Sequence, residues 1–196
     1  MNLSAKMILV LTSIGIISGL LLAGVDWATK ERISANLQKE LEEAVIQVVP
    51  GTVSSQKIYE EKGFTIYSGK DANGKILGYA INSEVGGFQD KIIFLLGTNE
   101  EFCKINRLHI LDQKETPGLG AKITNETAFL QFWENRDCRQ QIMLRKPPVD
   151  KETLGPSEVN TITGATVSSE SVLSGVNATF QKIKTLRSEG ALRTGE

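Results

Sequence analysis

Residues 160–169 read NTITGATVSS, a glycine-containing loop that runs directly into a helix-compatible segment. A helix is predicted from Val167 to about Arg187, because apolar residues recur at helical spacing, at Val172, Val176, Phe180 and Ile183. Gly164 and Ala165 have little or no side chain, so a bulky phosphate ester on the Thr166 hydroxyl could approach the backbone without collision. That phosphate would lie near a helix N-terminus, where unpaired N–H groups and the helix dipole favour negative charge.

A second segment, ETPGLG at Glu115–Gly120, also contains turn-forming residues, together with one large apolar side chain, Leu119. Its simplest interpretation is a Pro-Gly turn between a strand and a helix. Gly118 and Gly120 would also let a ring or a phosphate lie against the main chain. For the first segment, the simplest interpretation is a loop capped by Thr166 or Ser168 where the helix begins.

Together the two segments resemble, in the same order, two signatures of the FMN-binding subunits of the Rnf and sodium-pumping NADH:quinone complexes. Residues 160–166 are similar to the flavinylation motif Asp/Asn-x-x-Ser/Thr-Gly-Ala-Thr of that family. Asn160 stands in place of the commoner Asp, and Thr163 in place of the commoner Ser. In that family a flavin transferase joins FMN through its phosphate to the final Thr, so the resemblance implies a phosphoester-linked FMN on Thr166.

The resemblance implies a flavin site with two walls. The cofactor-binding residues that we expect are Thr163, Gly164, Ala165, Thr166 and Ser168 on one wall, and Glu115, Thr116, Gly118, Leu119 and Gly120 on the other. On the second wall Thr116 offers a hydroxyl, Leu119 an apolar contact and the neighbouring amides hydrogen-bond donors. Leu119 could equally be a core residue.

The N-terminal segment Met7–Val25 is apolar and has no charged residue. As a helix it would be about 28 Å long, close to the thickness of the hydrocarbon core of a bilayer. Trp27 follows at the level expected for the interface. We therefore expect one transmembrane anchor, with a cleaved signal peptide as the alternative. The charges on either side do not decide the orientation, but the resemblance implies a single-pass protein of the cytoplasmic membrane whose C-terminal domain lies outside the cytoplasm.

The predicted domain organisation has three parts: an anchor over residues 1–26, a helical stalk and linker over 27–56, and a covalent FMN-binding domain over 57–196. The stalk is predicted because apolar residues recur every three or four positions through Ser34–Val49, up to Pro50-Gly51. A serine-containing link at Thr52–Gln56 is expected to lead into the domain.

An antiparallel sheet with packed helices, an α+β fold, is predicted for the domain. Asn73-Gly74 is a hairpin signal between two runs of strand-forming residues. The predicted strands are Phe64–Tyr67, Ile76–Ile81, Ile92–Leu96 and Cys103–Asp112, followed by a short helix at Ile123–Asn135 and a possible strand at Gln141–Leu144.

Several classes of function are disfavoured. The chain has 22 basic and 23 acidic residues, a balance that argues against a nucleic-acid partner. The only histidine lies in a strand-like run, and no hydrolytic, zinc or Walker motif occurs, so we expect neither catalytic residues nor a metal site. Cys103 and Cys138 do not have metal-ligand spacing. They are expected to be core residues or, in an extracytoplasmic domain, a disulfide; the spacing leaves both open.

The resemblance implies a G-type subunit of an Rnf complex, an ion-translocating ferredoxin:NAD oxidoreductase. Such a subunit would relay electrons between neighbouring redox subunits of a membrane complex rather than act as an enzyme alone. A C-type subunit of the sodium-pumping NADH:quinone oxidoreductase is the nearest alternative. A membrane-anchored binding or scaffold domain whose Thr166 is never modified is an alternative of a different class.

Overall fold

The computed structural model describes the backbone of residues 2–192, and the side chains of that range except those of residues 31–38. The chain divides into two compact units, Met1–Leu41 and Glu42–Glu196. The first unit is the greater part of a long helix, α1 (Leu3–Val48). Within it, Leu3–Lys30 is long and apolar enough to cross a membrane, and none of its most apolar window is buried.

The second unit begins with the last turns of α1, which pack onto the sheet of this unit. Val45 and Val48 are almost completely buried, whereas Ile46 is half exposed. Gly97 provides the space for this contact, because a Cβ there would lie 1.9 Å from the Val48 carbonyl oxygen. The predicted continuation of the helix to the residues before Pro50 is confirmed.

Six antiparallel strands form the main sheet, and their order in the sheet follows the chain. They are β1 (Ser54–Glu61), β2 (Phe64–Lys70), β3 (Ile76–Gly86), β4 (Lys91–Thr98), β5 (Lys104–Asp112) and β6 (Arg136–Asp137). The Asn-Gly turn joins β2 to β3 as predicted. There Gly74 has a φ of 81°, and the Asp71 carboxylate accepts the backbone N–H groups of Asn73 and Lys75.

Two predictions about secondary structure are wrong. Thr52–Gln56 is not only a link, because β1 begins at Ser54; this edge strand is mostly exposed and lacks the apolar alternation that would reveal it. Ile123–Asn135 is not one helix but two separate 3₁₀ turns, Gly120–Thr124 and Leu130–Trp133. The break lies at Asn125, which is extended and whose side chain accepts the N–H of Ala128.

The second long helix, α2 (Thr166–Ser188), covers the sheet. Its predicted apolar face is confirmed, because the four side chains at helical spacing are all buried: Val172, Val176, Phe180 and Ile183. Gly175 permits close packing, since a Cβ there would lie 2.9 Å from the Phe94 ring and from the Val85 Cβ. The core therefore lies between α2 and the strands β3 and β4.

A two-stranded parallel sheet precedes α2. It pairs β7 (Met143–Arg145) with β8 (Glu158–Asn160). β7 begins two residues after the start of the strand predicted at Gln141–Leu144. The loop 161–165 then leads from the end of β8 to the first residue of α2. Residues 160–166, the NTITGAT segment, are thus held by β8 at one end and by α2 at the other.

Candidate functional site

The loop before α2 is a tight turn that presents the N-terminus of the helix. The N–H of Ala165 donates to the carbonyl of Ile162 at 3.0 Å, and Gly164 has a φ of 83°, which favours glycine. The first N–H groups of a helix have no partner within the helix. In the described part of the chain no side chain caps those of α2, because its N-cap position is Ala165. The helix therefore begins with N–H groups that can bind an anion.

Thr166 is the first residue of α2, is half-buried, and faces a cavity of about 370 Å³. Three segments of the chain line this cavity. The lining residues are Phe88 from the β3–β4 loop, Glu115, Thr116, Leu119 and Gly120 from the Pro-Gly loop, and Gly164, Ala165, Thr166, Val167 and Ser168 from the start of α2.

The structure thus brings the two segments singled out in the sequence to one place. A Cβ on Gly164 would lie 3.6 Å from Leu119 Cδ2, an ordinary packing distance. The Ser168 hydroxyl donates to Glu115 Oε2 at 2.6 Å. Leu119 is half exposed and lines the cavity, so it is not a core residue.

Glu115 is 4% exposed and joins the three segments through its carboxylate. Oε2 accepts the Ser168 hydroxyl, while Oε1 accepts the backbone N–H groups of Phe88 at 2.8 Å and Gln89 at 3.1 Å. Because protein donors occupy both carboxylate oxygens, Glu115 holds the walls of the cavity in place. Thr116 is held similarly, since its hydroxyl accepts the Gln89 side-chain amide at 3.0 Å.

The two glycines of the Pro-Gly loop have different physical roles. Gly118 has a φ of 76° and open space around its Cα, so the turn itself favours glycine there. At Gly120 a Cβ would lie 2.5 Å from Ser168 Oγ and 2.6 Å from Glu115 Oε2. Gly120 is therefore needed so that the Glu115–Ser168 contact can form beside it.

Phe88 is a lining residue that the sequence pattern did not single out. Its side chain is 68% exposed, in the loop between β3 and β4. The preceding Gly87 packs over the buried carboxylate, because a Cβ there would lie 2.4 Å from Glu115 Oε1. An aromatic residue directly after Gly-Gly in a polar turn is the signal that could have identified it.

Thr163 and Asn160, the other characteristic positions of the NTITGAT segment, lie away from this cavity. Thr163 is exposed and lines a neighbouring groove together with Thr161 and Pro148. Asn160 is 1% exposed, and its amide accepts the N–H of Val149 at 3.1 Å and donates to the carbonyl of Val149 at 2.5 Å. Asn160 therefore holds the 146–150 segment against the loop that carries Thr166.

This geometry predicts that aspartate, although similar in shape, is unfavourable at position 160. In Asn160→Asp a carboxylate oxygen would face the Val149 carbonyl, and a buried hydrogen bond would be replaced by repulsion. We expect the free energy of unfolding in urea to fall by about 1–3 kcal/mol. Asn125→Asp is the control at an exposed position, where the asparagine side chain serves as an acceptor, from Ala128 N and the Thr127 hydroxyl. Equal stability of the two variants would contradict this role for the Asn160 amide.

The cavity combines apolar walls with an anion-binding helix terminus. Phe88, Leu119 and Val167 expose apolar side chains at its rim, each at least half accessible. Apolar walls suit a planar aromatic ring, and the N-terminus of α2 suits a phosphate. Among the described residues, no group of three or more His, Cys, Asp or Glu side chains could hold a metal ion. The apolar walls and the helix N-terminus together fit an organic cofactor that carries a phosphate.

Part of this domain is similar to a known protein family. Residues 87–181 match the FMN-binding domain family, and this segment contains every residue that lines the cavity. This segment, slightly less than half of the chain, is similar to that family.

Relatives in sequence are G-type subunits of ion-translocating oxidoreductases. The G-type subunit of the ion-translocating oxidoreductase complex of Methanosarcina acetivorans is 25% identical over 181 residues, 88% of this chain and 90% of the relative. Its counterpart in the Na⁺-translocating ferredoxin:NAD⁺ oxidoreductase complex of Acetobacterium woodii is 28% identical over 127 residues, 64% of this chain and 58% of the relative. The counterpart in the proton-translocating ferredoxin:NAD⁺ oxidoreductase complex of Clostridium ljungdahlii is 23% identical over 169 residues, 86% and 85% of the two chains.

Solved structures with the same fold are C-type subunits. NqrC of Shewanella oneidensis has a TM-score of 0.51 at 17% identity, and the match covers 69% of this chain and 72% of that one. The C-type subunit of the Na⁺-translocating NADH-quinone reductase of Parabacteroides distasonis also has a TM-score of 0.51, at 19% identity, with 60% and 59% covered. The predicted α+β fold, an antiparallel sheet with packed helices, is confirmed.

Proposed function

We propose that this chain is the membrane-anchored flavoprotein subunit of an Rnf-type ion-translocating ferredoxin:NAD oxidoreductase and carries FMN in phosphoester linkage to Thr166. The observation that carries the proposal is the position of the Thr166 hydroxyl. Thr166 is partly buried at the uncapped N-terminus of α2 and lines a cavity with apolar walls. The cofactor would supply reversible electron transfer, and the protein position and electrostatics.

Attachment would form one bond and break another. The Thr166 hydroxyl would lose its proton, and its oxygen would bond to the phosphorus of the flavin mononucleotide unit. A phosphoanhydride bond in the flavin donor would break, and the rest of the donor would leave with the bonding electron pair. A separate flavin transferase would catalyse this step. The free N–H groups at the start of α2 would then stabilise the phosphate charge.

The test is to express the full chain with and without a flavin transferase. With the transferase, we expect the intact mass to increase by one FMN unit and the denatured chain to fluoresce as flavin. Without it, we expect a colourless protein of unmodified mass. An unmodified chain in both hosts would overturn the proposal and favour a scaffold whose Thr166 is never modified.

The likeness in sequence supports a G-type subunit rather than the C-type alternative. The relatives that cover most of this chain are named as G-type subunits of ion-translocating oxidoreductases. The C-type subunits share the fold at below 20% identity. The other subunits of such a membrane complex would be the partners of this chain, and an electron relay between them its role.

Phe88 and Leu119 are expected to contact the flavin ring, because both expose apolar surface at the cavity that Thr166 faces. In Phe88→Ala and Leu119→Ala we expect the attached FMN to add the same mass to the chain as in the wild type. The flavin absorption bands should shift, and added iodide should quench flavin fluorescence at least about twofold more strongly, because the ring loses an apolar wall. Met143→Ala removes an equally exposed apolar side chain that does not line the cavity, so it serves as the control. Spectra of all three variants that equal the unmodified spectrum would exclude both residues from the flavin site.

The soluble domain is expected to lie outside the cytoplasm, anchored by the apolar helix within Leu3–Lys30. Protease added to intact spheroplasts should then digest the domain and leave a fragment of about the size of the anchor. Lysed spheroplasts provide the control for protease access. Protection of the domain in intact spheroplasts, with digestion only after lysis, would reverse this orientation.

A further inference from the structure

The two cysteines of the chain occupy facing positions at one end of a strand pair. In the antiparallel register of β5 and β6, Ile105 faces Arg136 and Lys104 faces Asp137. The next facing pair is Cys103 and Cys138, and the N–H of Cys138 donates to the carbonyl of Cys103 at 2.9 Å. Facing residues of an antiparallel pair have Cα atoms about 4.5–5.5 Å apart and side chains on the same face. That separation lies within the range of about 4.4–6.8 Å found in disulfides.

The surroundings of the two thiols differ. Cys138 is 2% exposed, and its Sγ lies 3.3 Å from the carbonyl oxygen of Phe102. Cys103 is partly exposed and is held by Asn99, whose side chain donates to Cys103 Sγ at 3.1 Å and accepts the Cys103 N–H at 3.0 Å. Cys103 is therefore the thiol that a reagent from solution reaches first.

The raised pKa of the Cys138 thiol agrees with this order. Burial, followed by the neighbouring Cys103 and Asp137, raises the pKa of the Cys138 thiol to about 12. A thiol with such a pKa is almost entirely protonated at neutral pH and is a poor nucleophile toward reagents in solution. Cys138 would react only after a neighbouring sulfur has become an electrophile.

We propose that Cys103 and Cys138 form a structural disulfide by exchange with an external disulfide, either a small molecule or a thiol oxidase. The Cys103 thiolate attacks one sulfur of the oxidant, forms a mixed disulfide and releases one thiol. Cys138 then loses its proton and attacks Cys103 Sγ, which releases the second thiol. The two cysteines lose two electrons and two protons, and the external disulfide is reduced to two thiols.

This bond would enclose the second wall of the cavity in a covalent loop. The segment between the two cysteines contains Glu115–Gly120 and both 3₁₀ turns, Gly120–Thr124 and Leu130–Trp133. A bridge that closes a loop of this length restricts the unfolded chain. We expect oxidation to raise the Tm of the domain by about 10 °C. The inference does not depend on flavin attachment, although the extracytoplasmic location proposed above would supply an oxidising compartment.

The test uses the detergent-solubilised full chain, prepared without flavin transferase and treated with oxidised glutathione. We expect the mass to decrease by two hydrogen atoms, and a proteolytic digest to contain one peptide pair that joins Cys103 to Cys138. Cys138→Ala should instead retain one glutathione on Cys103. Cys103→Ser should stay unmodified, and its Tm should not respond to reductant.

Two results would overturn the proposal. One is a wild-type chain that keeps glutathione on Cys103 without an internal cross-link. The other is a wild-type chain that stays fully reduced at the glutathione concentration that modifies Cys138→Ala. The first result is measured on the wild-type chain alone, so it stands even if the Cys138 variant folds poorly.

Discussion

Replacing Thr166 by valine is expected to abolish covalent flavin attachment, so that flavin fluorescence on the denatured chain falls to background. Valine has nearly the shape of threonine but no hydroxyl, and the hydroxyl oxygen is the proposed bonding atom. Thr166 is only half-buried, so the free energy of unfolding should change by no more than about 1 kcal/mol. The measurements are the intact mass after expression with the flavin transferase, and urea unfolding of the unmodified chain.

Two matched variants make this result specific. Thr166→Ser retains a hydroxyl at the same place and should retain the adduct. Thr163→Val removes the hydroxyl of the threonine that precedes Gly164. Thr163 is exposed and does not line the cavity, so this variant should lose less covalent flavin than Thr166→Val. An FMN adduct of full yield on Thr166→Val would end the assignment of the attachment site.

The second large effect is expected at Glu115, whose carboxylate holds three segments together. Glu115→Ala would leave the N–H groups of Phe88 and Gln89 and the Ser168 hydroxyl without their acceptor. A buried donor without a partner costs about 1–3 kcal/mol. Water that enters from the cavity would satisfy some of these three donors. We therefore expect the free energy of unfolding to fall by about 3 kcal/mol. Urea unfolding followed by Trp133 fluorescence would measure it, because Trp133 is fully buried in this unit.

Two further variants separate the carboxylate from general effects in this loop. Lys114→Ala, next in the chain, removes only an exposed ion pair with Asp90 and should change stability by less than about 1 kcal/mol. Glu115→Gln retains the oxygen that accepts from Phe88 and Gln89, so it should lose less than Glu115→Ala. If Glu115→Ala were as stable as Lys114→Ala, the buried carboxylate would not be what joins the three segments.

Most of the sheet could be predicted from the sequence, and the exceptions have identifiable causes. Runs of strand-forming residues and the Asn-Gly turn locate β2 to β5, and the helical spacing of four apolar residues locates α2. β1 lacks such a pattern because it is an exposed edge strand. The supposed helix at residues 123–135 has suitable apolar residues, but the side chain of Asn125 bonds to the backbone and starts a new turn.

Within the candidate site, sequence and structure contribute different things. The position of Thr166 between a positive-φ glycine and a helix follows from local sequence, because turn and helix signals act over a few residues. That Glu115 uses both oxygens to join Ser168 to the Phe88 loop could not be predicted, because these residues are far apart in the chain. The role of Gly120 was likewise hidden, since the atoms that a Cβ would meet come from Ser168 and Glu115.

The sequence by itself therefore determined β2 to β5, the two long helices, the apolar segment that can cross a membrane, and the threonine proposed to carry the flavin. These depend on periodicity, local turn chemistry and motif residues that are close in the chain. Only the tertiary structure decided which groups surround that threonine, that Phe88 is among them, and that Cys103 faces Cys138. The physical reason is that strand register and helix packing bring distant residues within a few ångströms of each other. No local pattern encodes those distances.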